Sequence, residues 1–356
     1  MNAELKTGIK GRGASFNTPN RFETLHLEPF EDETVVEGEE ISPKTSFYVD
    51  SSKSILAKND SPDLPFTYSL NPYRGCEHGC IYCYARPSHE YLGFSAGVDF
   101  ETKIMVKSDA PKLLAETFHR RSWEPQMICI SGNTDCYQPA ERRLRITRGC
   151  LEVFLRYRNP VGIITKNALI TRDLDLLTEL ARLDLVSATM SITTLDPDLA
   201  RRMEPRTSTP ARRLETVAAL ASAGIPVSVF VAPVIPGMTD EEIPAILAKA
   251  AACGASFASY TILRLPGPVE PLFIEWLERE FPGKASKVLN RTRGMRKGKL
   301  SQSGFGVRMK GEGETARAIK QLFELNCRKL GLNTKRFSPA TNHFRRQPEG
   351  QTDLFG

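Results

Sequence analysis

Three cysteines stand close together in the sequence, Cys76, Cys80 and Cys83, with the spacing C-x3-C-x2-C. Thiolates on so short a loop can hold three irons of a cubic four-iron cluster, which normally has four cysteine ligands. Because one ligand is missing, one iron keeps a position that another molecule can occupy. The alternatives are a Cys3His zinc site that adds His78 or His89, and an incidental grouping of three cysteines. No second Cys/His pair has zinc-finger spacing, so the pattern favours the cluster.

The remaining cysteines and the ends of the chain indicate the cellular compartment. The chain has 356 residues and eight cysteines, and the five outside the motif show no paired spacing. This pattern argues against both a second cluster and a disulfide framework. The first residues form no apolar segment of the secretory type, and no apolar run is long enough to span a bilayer. We therefore expect a cytoplasmic protein without a membrane partner.

Strand and helix patterns alternate from about residue 66. Patterns of buried strands cover residues 66–70, 126–131, 161–165, 185–192, 227–232 and 258–263. Helical patterns lie between them, and Asp196 and Thr209 each precede a proline, as N-cap residues do. Six alternating βα units predict a parallel sheet with right-handed crossovers, and they are too few to close an eight-stranded barrel. We therefore expect an α/β fold, a partial (β/α)6 TIM-type barrel with a lateral opening for a large substrate.

Composition divides the chain into four regions. They are an extended, partly disordered arm (1–60), the barrel (61–283), a basic helical extension (284–346) and a flexible tail (347–356). The extension has 17 Lys and Arg against 3 Asp and Glu, and its densest part, residues 291–299, predicts a mobile loop. Such a charge balance favours a nucleic-acid partner. A solvated, charge-rich helical face is the alternative.

Polar segments follow the predicted strands. The cysteine loop follows the first strand, residues 131–135 the second, and Lys166 the third. Ser191 ends the fourth strand, and Arg264 follows the sixth. Because the loops after parallel barrel strands converge, we expect these residues to lie around one active site.

The cysteine motif resembles that of the radical S-adenosylmethionine (SAM) superfamily, whose members place an aromatic residue just before the third cysteine, as Tyr82 stands here. The resemblance implies that the amino and carboxylate groups of SAM bind the open iron, and that the aromatic ring lies against the adenine. It also implies that an electron from the reduced [4Fe–4S] cluster splits SAM into methionine and a 5′-deoxyadenosyl radical. That radical then abstracts a hydrogen atom from a substrate.

Further SAM contacts are implied by the same resemblance. Residues 132–135 stand where the superfamily carries Gly-Gly-Glu, the segment that receives the methionine amino group. Lys166 and Ser191 resemble the residues that bind the SAM carboxylate and ribose in the spore photoproduct lyase branch. Arg206 is a further candidate for the carboxylate, and a salt-bridged arginine at a helix start is its alternative. The resemblance thus gives these SAM-binding candidates: Tyr82, Ser131, Gly132, Asn133, Asp135, Lys166, Ser191, Arg206, and Val234 and Gly237 at the adenine position after the fifth strand.

Three further runs, at residues 71–76, 82–86 and 132–141, resemble the DNA repair photolyase-like family, which is related to spore photoproduct lyase. Residues 11–21 resemble its bacterial subgroup with an N-terminal extension. The resemblance implies a carbon–carbon lyase that repairs DNA, with Cys129 as the hydrogen donor to the product radical; a small apolar filler is the alternative for this cysteine. Modification of RNA or protein by the same chemistry, and a DNA- or clamp-binding protein with a structural or sensory cluster, are the alternative functions.

The last residues resemble the peptide by which bacterial repair proteins bind the sliding clamp. Gln351 corresponds to the residue that contacts the rim of the clamp pocket, and Leu354 and Phe355 correspond to its apolar anchors. We therefore expect DNA and the sliding clamp as partners. The chemistry also implies an electron donor such as flavodoxin or ferredoxin.

Overall fold

The computed structural model of the chain describes residues 8–22, 43–335 and 337–346. The strands are β1 Ser46–Val49, β2 Leu56–Lys58, β3 Tyr68–Leu70, β4 Tyr73–Arg74, β5 Lys103–Val106, β6 Ile128–Ile130, β7 Val161–Thr165, β8 Val186–Ser191, β9 Val227–Val234 and β10 Phe257–Ile262. The α-helices are α1 Val98–Thr102, α2 Ala110–His119, α3 Glu141–Leu144, α4 Ile146–Tyr157, α5 Leu174–Ala181, α6 Pro197–Met203, α7 Pro210–Ser222, α8 Ile243–Ala252, α9 Val269–Glu280, α10 Pro282–Gly294 and α11 Gly313–Lys329. Short 3-10 helices cover Arg86–Leu92, Ala168–Asp173 and Asp240–Glu242.

Six parallel strands form the main sheet in the order β3-β6-β7-β8-β9-β10. Each strand lies beside the next one in the chain, which confirms the six βα units that the sequence predicts. Apolar side chains such as those of Ile163 and Val229 are fully buried, because helices cover the outer face of such a sheet. The architecture is the expected partial TIM-type barrel.

The segment before the barrel contains more regular structure than the expected extended arm. β2 pairs antiparallel with β3 and adds a seventh strand to the main sheet, while β1 belongs to a small sheet of order β1-β5-β4. Strands of three or four residues show too little alternation to be recognised in a sequence. The expected arm also includes residues 1–7 and 23–42, which lie outside the described part of the chain.

A set of contacts bridges the two edges of the partial barrel, where the sequence predicts a lateral opening. Loop 59–66 follows β2, and segment 305–310 lies beside β10, where Met309 accepts a hydrogen bond from the backbone N–H of Ile262. Asp63 accepts hydrogen bonds from the backbone N–H of Gly306 (2.7 Å) and from Nε of Arg308 (2.6 Å). We call these Asp63 contacts the clasp. They close this part of the opening.

The basic extension packs against the barrel. α11 confirms the helix predicted at residues 313–330, and the ring of Phe323 lies 4.6 Å from that of Tyr260. The prediction of a mobile loop at residues 291–299 is wrong, because residues 291–294 form the end of α10 and Arg296 is fully buried. The Arg296 guanidinium donates to backbone carbonyls of residues 262, 263 and 308, an arrangement that a count of charges cannot reveal.

No helix in the described residues is long and apolar enough to cross a membrane. The predicted tail, residues 347–356, lies outside the described residues.

Candidate functional site

A cavity of about 850 Å³ lies at the carboxyl ends of the main-sheet strands. Its volume is at the upper end of the range for ligand pockets. Most of the residues singled out in the sequence line it: Cys76, Cys80, Tyr82, Cys83, Cys129, Ser131, Gly132, Asn133, Asp135, Lys166 and Ser191. The convergence of strand ends therefore brings together the cysteine motif, the possible hydrogen donor and seven predicted SAM contacts.

The cysteine loop is fixed by contacts with its outer neighbours. Cys76 donates its backbone N–H to the carbonyl of Phe100 (2.8 Å), and the backbone N–H of Ile81 donates to Met203 (3.0 Å). At Gly79 the backbone has a φ of 67°, which favours glycine. These contacts turn all three thiols toward the cavity.

A buried ion pair supports the same loop from behind. Arg86 and Glu101 are both fully buried and lie 2.5 Å apart. The Arg86 Nε also donates to the carbonyl of Cys80 (3.1 Å), and Glu101 accepts the backbone N–H groups of Gly13 and Ala14. One carboxylate thus links the N-terminal segment to the residues around the motif.

The ligand set fits a four-iron cluster better than a single zinc ion. In the described residues, no group of three His, Cys, Asp or Glu converges closely enough to hold one metal ion. A cluster does not require such convergence, because each cysteine binds a different iron. His78 is engaged elsewhere: Nδ1 lies 3.4 Å from Asp135 and Nε2 lies 3.1 Å from the Asn167 amide. His89 is packed between aromatic rings, so neither histidine completes a zinc site.

Burial affects the charge state of the motif cysteines. It raises the pKa of the Cys80 and Cys83 thiols. Because metal ligands are thiolates, loading this loop with iron must release protons.

Asp135 and Lys166 are held together at the cavity wall. The Asp135 carboxylate accepts hydrogen bonds from Thr165 Oγ1 (2.8 Å) and from the Lys166 backbone N–H (2.8 Å). Burial acts to raise the pKa of Asp135, but His78 and the backbone N–H groups of Lys166 and Tyr137 lower it overall. Burial lowers the pKa of Lys166, whose Nζ donates to the carbonyl of Ala232. The lysine head lines the cavity at the position predicted for the SAM carboxylate.

Tyr82 is oriented by a buried carboxylate that the sequence did not single out. Its hydroxyl donates to Glu204, which also pairs with the buried Arg213 and accepts a hydrogen bond from Thr193 (2.6 Å). Arg213 donates in turn to the carbonyl of Ser191 (3.0 Å). This network fixes the aromatic ring and the end of β8 relative to each other. Glu204 stands two residues before Arg206, the charged residue of this run that the sequence predicts as a SAM contact.

Cys129 and Ser131 line the cavity together, at and just after the end of β6. Ser131 has a φ of 73° and accepts the backbone N–H of Cys136 (2.8 Å), which fixes its position. Burial raises the pKa of Cys129 to about 12, so its sulfur keeps its hydrogen at neutral pH.

Three predicted SAM contacts do not line the cavity. Arg206 forms a salt bridge with Glu77 (3.2 Å), in agreement with the salt-bridged alternative, although it follows α6 instead of starting a helix. Val234 is fully buried in the core, and Gly237 turns toward Asp240, to which its N–H donates. In β9, the cavity is lined instead by Ser228, Phe230, Ala232 and Pro233.

Tyr84 is a cavity residue that the sequence reasoning missed. Its hydroxyl donates to the carbonyl of Gly132 (2.7 Å), and the guanidinium of Arg264 stands 5.0 Å from its ring centre. Its position directly after Cys83 was the available signal.

Comparison with known proteins agrees with this site. The Radical SAM superfamily profile matches residues 70–250, and the chain belongs to this family. Its cofactors are a [4Fe–4S] cluster and SAM. An uncharacterized protein of Mycobacterium tuberculosis is 40% identical over 238 residues, which cover 66% of this chain and 70% of the relative. An uncharacterized protein of Methanocaldococcus jannaschii is 26% identical, over 63% of this chain and 80% of the relative.

The fold is similar to that of solved spore photoproduct lyase structures. One mutant of that enzyme matches with a TM-score of 0.58 and 18% identity, over 80% of each chain. Another mutant, which matches with the same TM-score and identity, contains bound AdoMet and dinucleoside spore photoproduct. At this identity the likeness supports the fold.

Proposed function

We propose that the protein repairs a lesion in DNA by radical SAM chemistry, as a carbon–carbon lyase. The observation that carries this proposal is the shared cavity: the three motif cysteines, Cys129 and Ser131 all face it. A cluster on the cysteines would lie in the same enclosed space as a thiol that can give a hydrogen atom. The likeness in fold to spore photoproduct lyase supports the same function.

Cys76, Cys80 and Cys83 hold the cluster in this proposal. When bound and reduced, the cluster supplies the electron that splits SAM. Lys166 and Ser191 would bind the carboxylate and ribose of SAM, Tyr82 would contact its adenine, and residues 132–135 would receive its amino group. Cys76, Cys80 and Cys129 are buried at the cavity wall, which limits the contact of a radical formed there with bulk water.

Cys129 gives the hydrogen atom of its S–H bond to the substrate-derived carbon radical, so a C–H bond forms and a thiyl radical remains on the cysteine sulfur. A high thiol pKa suits this role, since the transferred group is a hydrogen atom and not a proton. Because Cys129 is buried beside the cavity, it can react only with a radical that forms inside the cavity.

DNA is the proposed target. Residues 284–346 carry 17 Lys and Arg against 3 Asp and Glu, and the cavity wall includes Arg264, Arg308 and Lys310. Positive charge of this density favours a phosphate backbone. We place the protein in the cytoplasm, where a reducing environment protects an oxygen-sensitive cluster.

The test uses the anaerobic, cluster-loaded protein with reductant, SAM and deuterated DNA that has been irradiated to form thymine lesions. Deuterium in 5′-deoxyadenosine together with loss of the lesion supports the proposal. Cleavage of SAM without transfer of deuterium from DNA would sink DNA as the substrate, and deuterated RNA or protein tested in parallel would then identify the target. If SAM is never cleaved with any of them, the protein is a binding protein with a structural or sensory cluster.

Two protein partners belong to the same proposal. A flavodoxin or ferredoxin supplies the electron, and rapid reduction of the cluster by one of them is the expected result. The sliding clamp binds Gln351, Leu354 and Phe355, which lie outside the described residues. Deletion of residues 351–355 should abolish retention on immobilised clamp; retention of the shortened chain would discard this partner.

A further inference from the structure

Arg264 is a partly buried cation in the cavity wall. It follows β10, and its guanidinium stands over the ring of Tyr84, which is itself held by Gly132. Among the residues that the structure describes, no carboxylate forms an ion pair with Arg264 and no side chain or carbonyl accepts a hydrogen bond from it. Five donor N–H groups in a fixed fork are therefore left for a ligand.

The surroundings of Arg264 add positive charge. Burial, reinforced by the charge of Arg264, lowers the pKa of Arg296 to about 10. Arg296 is bonded to backbone carbonyls alone, and the Nζ of Lys310 donates to the carbonyl of Tyr260 (2.6 Å). The nearby carboxylate of Asp63 is already occupied by the clasp, where Arg308 neutralises it.

Such a group of cations is costly unless an anion joins it. Burial lowers the pKa of Arg264, which shows that its charged form is partly desolvated. A guanidinium matches the two free oxygens of a phosphodiester in a bidentate pair, and it binds phosphate better than a point charge does. An anion at Arg264 would accept hydrogen bonds from the guanidinium and would balance its charge.

The position of Arg264 separates this anion from the SAM carboxylate. Lys166, the proposed carboxylate partner, follows β7, whereas Arg264 follows β10. Three strand spacings of about 4.8 Å place these strand ends roughly 14 Å apart along the sheet. SAM and a second anion therefore have separate cations in one cavity.

We propose that Arg264, supported by Tyr84, forms a phosphodiester subsite that holds the backbone phosphate beside the reacting nucleotide. This inference rests on the proposed action on nucleic acid, and it names how that substrate is held. The subsite would orient the substrate by its backbone, leaving the bases free to face Cys129.

The test compares two dinucleotides that differ only in the charge of their linkage. Thymidylyl-thymidine and its uncharged methylphosphonate analogue are titrated calorimetrically into the anaerobic, cluster- and SAM-loaded protein. We expect the phosphodiester to bind about tenfold more tightly, a difference of about 1.4 kcal/mol. Arg264→Gln should remove this preference, and Arg264→Lys should keep part of it. Arg201→Gln, an exposed control on α6, should leave the preference intact.

Equal affinity of the two dinucleotides for the unmodified protein would overturn the inference without any variant. Binding of neither would overturn it as well, and so would a preference that survives in Arg264→Gln. If Arg264→Gln weakens only the affinity for SAM, the residue serves the SAM carboxylate and the phosphodiester subsite is wrong. Deuterium transfer from irradiated DNA is a separate readout, so the proposed function can stand when the subsite fails.

Discussion

Gly13 lies so close to the cysteine loop that a Cβ atom at position 13 would stand 1.8 Å from the carbonyl oxygen of Gly79. The backbone N–H groups of Gly13 and Ala14 donate to Glu101 at 3.0 and 2.9 Å. The N-terminal segment thus covers the outer side of the loop that carries the cluster ligands. Only a residue without a side chain fits at this contact.

Gly13→Ala should loosen this cover. A contact of 1.8 Å with backbone cannot be relieved by a side-chain rotation, so the segment must move away, at a cost of about 1–3 kcal/mol. We expect the cluster of the variant to bleach several-fold faster in air or with a chelator. The decay of its visible absorbance measures the rate. Gly283→Ala, where the added Cβ meets open space, is the matched control. Equal bleaching rates in both variants would show that the segment does not protect the cluster.

Glu101→Gln should destabilise the fold strongly. Removal of one partner leaves the fully buried Arg86 with an uncompensated charge, which costs about 3–5 kcal/mol. Chemical denaturation of the cluster-free protein measures this change in the free energy of unfolding. Glu179→Gln removes the partner of Arg182 on the surface and should cost less than about 1 kcal/mol. Similar losses in the two variants would contradict the structural role of the buried pair.

Cys129→Ala should separate SAM cleavage from repair. The variant keeps the three motif cysteines, so we expect 5′-deoxyadenosine to form at a rate similar to that of the unmodified protein. The repaired product should fall at least tenfold, because the carbon radical lacks its hydrogen donor. The pKa of about 12 also predicts that this step does not change from neutral pH to about pH 10. Unchanged product yield in the variant would make Cys129 a core residue without a chemical role.

Lys310 should give substrate binding an alkaline limit. Burial lowers its pKa from 10.5 to about 8, with Glu324 acting to raise the value and Lys320 to lower it; Tyr260 packs against the ammonium. Between about pH 8 and 10.5 the folded protein binds fewer protons than the unfolded chain, so this group makes folding more favourable as pH rises.

The pH dependence of anion binding has the opposite sign, because binding needs the charged form of Lys310. Affinity for thymidylyl-thymidine should therefore fall as pH rises through about 8. Lys310→Arg keeps its charge and should remove that fall. Calorimetric titration of both proteins across this pH range is the measurement, and identical profiles would exclude Lys310 as the titrating group.

The parts of this protein that could be predicted from the sequence are those set by local patterns. The six strands, the helix at 313–330 and the caps are examples: the Asp196 side chain accepts the N–H of Leu199, and that of Thr209 accepts the N–H of Arg212. The cavity residues on strand ends followed from the convergence of loops in a parallel barrel. These features depend on residue spacing alone.

The features that the sequence did not reveal depend on contacts between distant residues. Glu204 and Arg206 are both charged residues in one short turn, and only the fold turns the first toward Tyr82 and the second toward Glu77. Arg296 likewise looks like part of a basic loop until its bonds to buried carbonyls are seen. Side-chain direction, which spacing does not encode, decides each of these cases.

The clasp has a consequence for the order in which the protein is assembled during synthesis. All six strands and the three motif cysteines are complete once β10 has left the ribosome, whereas Arg308 emerges later. Chains are made from the N-terminus and begin to fold as they emerge. The wall between loop 59–66 and β10 therefore stays open on the nascent chain. Until Arg308 emerges and pairs with Asp63, the three cysteines of a chain that folds in this order can be reached through this gap.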